Sequence, residues 1–291
     1  MFRQTLDDCR SHPPYLPKHH SAYGMSFLFG PAGWSYSDWS GPVYPHPLPK
    51  NFNQLDFLAK DFDFVEVNTS FYHIPTVHLT SGWVKKTVQH EKFTFWVKLF
   101  QDFTHQKKLA GADVQAFKTA LQPLIHAGKL SGLLAQFPYS FKYSSGNLSH
   151  IMNLSEAFGP LPLAVEVRQK SWDQEKVREI FRCENLIWTT IDQPVISHSL
   201  PLTARVTHSY MAYVRLHGRN YTNWFANTGR DARYDYDYSA AELHDLAKII
   251  RQLKQEAQKI FISGNNHYKG SAIRNLLLLK KILADMEIQT P

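Results

Sequence analysis

The feature that most constrains this fold is a series of eight short apolar runs: "FLFGPAG" (27–33), "FDFVEVN" (62–68), "FTFWVKL" (93–99), "LSGLLAQ" (130–136), "PLAVEVR" (162–168), "LIWTTID" (186–192), "MAYVRLH" (211–217) and "KIFISGN" (259–265). They are rich in aromatic and β-branched residues, as parallel strands covered on both faces should be. Helix-like segments lie between several of them. "SWDQEKVREIFRC" opens with Ser171 and has Gln174 three residues on, the pattern of a capping box. "SAAELHDLAKIIRQLKQEAQK" opens the same way with Ser239 and Glu242 and keeps an apolar stripe at helical spacing. "GADVQAFKTALQPLIHAG" is a third helix, with Pro123 a candidate kink, and "SAIRNLLLLKKILADM" closes the chain. Between the sixth and seventh runs, "QPVISHSLPLTARVTHS" has no helical period and holds two prolines, so a regular helix is expected to be missing there. Strand and helix alternating eight times predicts an α/β fold: one (β/α)8 barrel of the TIM type over residues 25–291, irregular between strands six and seven. Residues 1–24, crowded with proline and histidine and lacking the apolar core of a signal peptide, read as a flexible N-terminal arm, with Met25 a candidate alternative start.

Composition narrows the partners. The 291 residues are 43% hydrophobic, enough for a sizeable core, and carry a formal charge of +7. The positive balance favours anionic partners. The basic residues are scattered, however, and the longest runs are pairs such as Lys85-Lys86 and Lys107-Lys108, which disfavours a nucleic-acid tail. No apolar run approaches the length that spans a bilayer, so no membrane association is expected. The two cysteines, Cys9 and Cys183, lie far apart and read as neither a disulfide framework nor a zinc spacing, so a reducing cytoplasm is the expected location. There is no phosphate-binding or dinucleotide Gly-rich loop and no His-x-His or HExxH spacing, so neither cofactor nor metal is expected. Oligomeric state is not legible.

The polar residues at the strand ends carry the functional reading. Side chains alternate along a strand, so residues two apart share a face. In "VEVN" Glu66 and Asn68 oppose the valines; in "VEVR" Glu166 and Arg168 do; in "VRLH" Arg215 and His217 oppose Val214 and Leu216. Lys98, Gln136 and Asp192 take the same position in their runs. Each sits at the C-terminal end of its strand, where barrel enzymes place their chemistry. The alternative is an internal ion network that satisfies only itself. That alternative does not require Lys98, His217 and two amides at the same rim.

The ordered stretches "GPAGWSYSDWSGPVYP", "FVEVNTSFYHIP", "FTFWVKLFQDFTH", "LLAQFP", "LAVEVRQKSW", "YVRLHGRN" and "NNHYKGSA" resemble the motifs of the YecE-like family, a domain of unknown function, from about residue 28 to residue 280. The resemblance implies a TIM-type barrel and supplies no reaction. Its motif residues here are Trp34, Tyr36, Trp39, Tyr44, Glu66, Asn68, Phe71, Tyr72, Lys98, His105, Gln136, Glu166, Arg168, Trp172, Asp192, Arg215, His217, Gly218, Arg219, Asn265 and Asn266. Ser263 and Gly264 in "FISGNN" depart from the pattern, where bulkier residues are expected.

If they meet at one mouth, Lys98, Arg168, Arg215 and Arg219 outnumber the acids Glu66, Glu166 and Asp192, which suits a carboxylate or phosphate held in an arginine fork. Gly270 and Ser271, at the start of the last helix, offer backbone N–H groups to an anion, with Arg219 nearby; an ordinary serine cap explains the same residues. Glu166, ionised beside Arg168, suits a general base. Glu66 is a candidate acid or hydroxyl ligand, and His217 a proton shuttle. Glu66, Glu166, Asp192 and His217 also resemble a metal set, against which the neighbouring arginines count. Trp34, Tyr36, Tyr72 and Trp172 can wall a pocket by stacking on a ring, whereas Trp39 and Phe71 read as packing. The long segment 220–238, with Trp224, Arg230 and Arg233, reads as a lid. The expectation is an enzyme of hydrolase, lyase or isomerase type acting on a small anionic ligand such as phosphate or a sugar phosphate. The alternatives are a nucleotide or single-stranded nucleic-acid binding protein without turnover, and a structural barrel.

Overall fold

A computed structural model describes residues 26–222 and 234–288. The N-terminal arm, Met25 and the middle of the 220–238 segment lie outside the described residues. Strands β1 (Ser26–Pro31), β2 (Phe64–Val67), β3 (Thr94–Lys98), β4 (Leu130–Gln136), β5 (Leu163–Glu166), β6 (Ile187–Asp192), β7 (Met211–Leu216) and β8 (Lys259–Gly264) pair in parallel in the order β1-β8-β7-β6-β5-β4-β3-β2. All eight fall within the apolar runs or one residue beyond them. The seam between β1 and β2 is thin. It is made by a bridge between Ala32 and Glu66, with the Gly33 N–H on the Glu66 carbonyl at 2.8 Å and the Asp63 N–H on the Phe29 carbonyl at 2.9 Å. Gly30 makes this approach possible, since a Cβ there would stand 2.2 Å from the Phe64 carbonyl oxygen.

Helices α1 (Gln54–Leu58), α2 (Val77–Lys86), α3 (Gln101–Thr104), α4 (Gly111–His126), α5 (Ser145–Phe158), α6 (Glu175–Cys183), α7 (Ala240–Leu253) and α8 (Ser271–Ile288) complete the α/β barrel. Between β6 and β7 the chain runs without a helix, as its prolines and missing period predict. Its place over the sheet is taken by an irregular segment. Leu200 and Val206 are buried there, and the Thr207 hydroxyl accepts from the Trp188 N–H and donates to the Leu186 carbonyl. The α7 capping box forms as read, with Ser239 and Glu242 satisfying each other's backbone N–H groups. The one expected at Ser171 does not. Trp172 donates its Nε1–H to the Phe141 carbonyl at 2.7 Å and stacks on the Phe141 ring, and Lys170–Trp172 forms a separate 3-10 turn. The helix starts beyond it at Glu175, and the Gln174 amide donates instead to the Ser171 carbonyl. Pro123 falls in the last turn of α4, which continues through it to His126.

Two apolar layers follow from the strand alternation. Val65, Val97, Val165, Val214 and their outward-facing neighbours pack under the helices. Phe64, Trp96, Leu134, Ala164, Ile187, Met211, Tyr213 and Phe261 fill the barrel itself. Trp96 and Tyr213 meet with centroids 4.3 Å apart, so the barrel floor is packed rather than open. Two residues further along the same faces stand Glu66, Lys98, Gln136, Glu166, Arg215 and Ser263. The packed floor therefore hands over to a polar layer toward the C-terminal ends of the strands.

Candidate functional site

The centre of that polar layer is Arg215, whose side chain is 1% exposed. Its Nε and Nη2 donate to the two oxygens of Glu66 at 2.9 and 2.6 Å, and its Nη1 donates to Glu166 Oε2 at 2.5 Å. Glu66 Oε2 also accepts from the Tyr213 hydroxyl at 2.8 Å and from Ser263 at 2.9 Å. The second oxygen of Glu166 accepts from Arg168 Nε at 2.8 Å and Nη2 at 2.7 Å. Both glutamates are fully buried, and each carries a guanidinium partner that offsets the desolvation of its charge. Burial alone would raise the Glu166 carboxyl. The charges of Arg215 and then of His217 and Arg168 outweigh it and hold the group well below the usual carboxylate range. At neutral pH the arginines carry that effect, because burial takes His217 down to about 4.

His217 sits above this layer with its orientation set on both sides. Asn265 Nδ2 lies 2.9 Å from Nδ1, and Glu166 Oε1 lies 3.2 Å from Nε2. An amide N–H can only donate, so Nδ1 accepts and Nε2 carries the proton toward Glu166. The ring is thus a neutral, fixed donor.

On the opposite side of the mouth, Lys98 extends from the end of β3. Its Nζ donates to Gln136 Oε1 at 2.7 Å, and the Gln136 amide is in turn fixed by donating to the Phe137 carbonyl at 2.9 Å. The ammonium stands 4.0 Å from the centroid of Phe71, so the ring expected to be mere packing forms part of the site. Among the described residues no carboxylate lies within ion-pair distance of Lys98. Burial, then the Arg215 charge, outweighs Glu166 and Glu66 and lowers Lys98 to about 7. His105, edge-on to Phe71 at 4.9 Å, is lowered to about 4 by burial and by the charges of Lys98 and Arg168. Tyr72, exposed, stands perpendicular to Phe71 with ring centroids 5.1 Å apart, and Asn68 lies half-buried at the start of the same turn.

Other residues are drawn elsewhere. Asp192 and Arg219, expected at the mouth, form a second cluster. Arg219 donates to Asp192 at 2.9 and 3.0 Å and to Glu242 at 3.3 Å, and the Tyr238 hydroxyl donates to Asp192 at 2.5 Å. This cluster ties the end of β6 to the capping box of α7. Asn266 is buried and donates to the Tyr236 carbonyl and to Asn275. Trp172 and Trp39 are fully buried, and Trp39 donates to the His267 carbonyl. Tyr36 lies flat on His267 at 4.3 Å, and half-buried Trp34 stands edge-on to Trp83. At the expected anion position before α8 both backbone N–H groups have partners within the chain: Gly270 donates to the His267 carbonyl at 3.1 Å and Ser271 to the Tyr268 carbonyl. Trp224, Arg230 and Arg233 of the proposed lid lie outside the described residues. Beyond them, Tyr236 and Tyr238 are anchored on Glu242 and Asp192. Among the described residues no three His, Cys, Asp or Glu side chains are grouped to hold a metal, and no helix is long and apolar enough to cross a membrane.

Sequence reasoning missed Tyr213 and misjudged β8. Tyr213 reads as one more core aromatic, yet its hydroxyl is the third kind of donor on Glu66. The small residues of β8 are explained by their neighbours. Ser263 brings a hydroxyl to Glu66, and a Cβ on Gly264 would meet Leu276 of α8 at 2.9 Å.

The whole barrel, from residue 28 to residue 291, matches the family described as protein of unknown function DUF72. The chain is 33% identical over 261 residues to the UPF0759 protein YunF of Bacillus subtilis (strain 168), covering 84% of this chain and 90% of that one. It superposes on the crystal structure of a DUF72 family protein from Thermotoga maritima MSB8 with a TM-score of 0.80 and 34% identity, over 89% of this chain and 99% of that one. A second, from Enterococcus faecalis V583, gives 0.78 and 26%, over 89% and 96%. With residues 28–291 matched by the family and a relative 33% identical over most of both chains, the chain belongs to the DUF72 family.

Proposed function

We propose that this protein is an enzyme of lyase, isomerase or hydrolase type acting on a small carboxylated or phosphorylated molecule at the C-terminal mouth of the barrel. The observation that carries the reading is Lys98: a half-buried cation at that mouth whose hydrogen-bond partner is an amide rather than a carboxylate. Arg168, on the neighbouring side, is close enough for its charge to act on both Lys98 and His105. An anion entering between them would meet two cations and a neutral imidazole. Beneath it, Glu66, Arg215 and Glu166 are fully engaged with one another, so their role is to hold Arg168 and His217 in place. Preorganised groups of this kind stabilise developing charge without reorganising during reaction. Glu166, with its carboxyl held low and both oxygens engaged, is a positioning residue in this scheme rather than the base.

The test is a thermal-shift titration with sulfate, whose charge is constant near neutrality, followed by organic acids and sugar phosphates. An anion favours the charged form of Lys98, so sulfate should stabilise more at pH 6, where Lys98 is protonated, than at pH 8, where it is not. Saturation to one hundred times the dissociation constant is worth about 2.7 kcal/mol. The shift should vanish in Arg168→Ala and lose its pH dependence in Lys98→Met. No shift with any anion, or the same shift in both variants, would refute the reading.

A further inference from the structure

Among the described residues Lys98 has no carboxylate partner, which eases the loss of its proton. Each carboxylate of the layer beneath it is already held by a guanidinium, Glu66 by Arg215 and Glu166 by Arg215 and Arg168. Among the described residues, the groups in contact with its Nζ are uncharged: the Gln136 carbonyl oxygen at 2.7 Å and the face of Phe71 at 4.0 Å. The Gln136 amide cannot turn without losing its bond to the Phe137 carbonyl, so an acceptor always faces the amine. From these contacts we infer that Lys98 is a nucleophile that forms a covalent imine with a carbonyl substrate, a ketone or aldehyde that also carries a carboxylate or phosphate.

The inference deepens the proposed function and rests on it, since the anionic group would be held at Arg168 while the carbonyl carbon meets Nζ. The neutral amine's lone pair attacks the carbonyl carbon, and the C=O π pair moves to oxygen. A proton passes from nitrogen to that oxygen, giving a carbinolamine. The C–O bond then breaks, the oxygen leaves with a second proton as water, and the nitrogen lone pair closes the C=N bond. Protonation of the imine nitrogen makes an electron sink, which assists loss of a proton or cleavage of a carbon–carbon bond next to the former carbonyl. That is lyase or isomerase chemistry and needs no further reactant. A lysine lowered to about 7 has enough neutral amine to begin this sequence near neutrality.

Reductive trapping tests the inference. The full chain is incubated with borohydride and one of three probes: pyruvate, glycolaldehyde phosphate, or uncharged glycolaldehyde. The mass should rise by that of the probe less one oxygen atom, on the peptide that contains Lys98. Trapping by the carboxylated or by the phosphorylated probe tells the two anion classes apart, and the uncharged probe should react much more slowly than the preferred one. Lys98→Arg, which keeps the charge, should abolish the adduct. Gln136→Glu places a carboxylate beside the amine and holds it protonated, so trapping at pH 7 should fall at least about tenfold and recover at higher pH. A lysine with only a structural role would not respond in this way. The inference is overturned by any of three results: no adduct with either anionic probe, adducts spread over surface lysines and unchanged in Lys98→Arg, or undiminished trapping in Gln136→Glu. Sulfate stabilisation without an adduct would leave the anion site standing and remove the imine alone. An adduct formed equally well with uncharged glycolaldehyde would overturn the substrate class and the anion site together.

Discussion

Replacing Arg215 with methionine keeps most of the aliphatic stem and removes the one charge that serves both central glutamates. The side chain is 1% exposed and both carboxylates are fully buried, so no water replaces the lost donors at Glu66 and Glu166. Removing one partner of a buried ion pair costs about 3–5 kcal/mol, chiefly because the other charge is left uncompensated. For a chain of this size that corresponds to a fall in Tm of about 6–20 °C. The pH dependence gives a sharper signature. In the native protein the Glu166 carboxyl lies well below its ordinary value. The stability it contributes is therefore complete above the ordinary carboxylate range, near 4.3, and is lost only as pH falls through the lower folded value. In Arg215→Met burial acts on Glu166 with one guanidinium fewer, so its carboxyl takes up a proton at a higher pH than in the native protein. The deficit then builds as pH rises through the carboxylate range and is relieved as Glu166 takes up its proton. Urea unfolding followed by circular dichroism at pH 7 and pH 5 should show a large gap between variant and native protein at pH 7 and a smaller one at pH 5. A variant within about 1 kcal/mol of the native protein at pH 7, or a gap that widens on acidification, would refute the role given to Arg215.

Two further substitutions test the division of the polar residues and the closure of the barrel. Asp192→Asn removes the charge that binds Arg219 and Tyr238, and should cost about 1.5–3 kcal/mol in urea unfolding while leaving the sulfate response of the mouth intact; a lost response would place Asp192 in the site after all. Gly30→Ala drives a methyl group to 2.2 Å from the Phe64 carbonyl, so it should destabilise by at least about 1–3 kcal/mol, and a Tm equal to that of the native protein would show that the β1–β2 seam tolerates separation.

The strands were legible because both of their faces are covered. Apolar runs of the right length, bounded by polar residues, leave few alternatives, and the missing helix before β7 was marked by its prolines. Helix starts were less legible. Ser239 and Ser171 head the same local pattern, but Trp172 has a tertiary partner in Phe141 that pulls the chain into a separate turn. The inward direction of Glu66, Lys98, Glu166, Arg168 and Arg215 followed from alternation alone, since the period of a strand does not depend on what surrounds it.

Pairing was a different matter. Asp192 and Glu166 look alike in sequence, each an acid at the end of an apolar run. One binds Arg219 and Tyr238 beside α7, and the other binds Arg215, Arg168 and His217 at the mouth. Nor does the sequence distinguish Phe71 under Lys98 from any other loop aromatic, or Tyr213 on Glu66 from any other core ring. By itself the sequence determined the barrel, the number and order of its strands, and which strand ends carry charge, because periodicity and patterning are local properties of the chain. Which cation meets which carboxylate, and that Lys98 meets an amide and a ring, was decided by the tertiary structure, because hydrogen bonds and ion pairs act over a few ångströms between residues up to 231 positions apart.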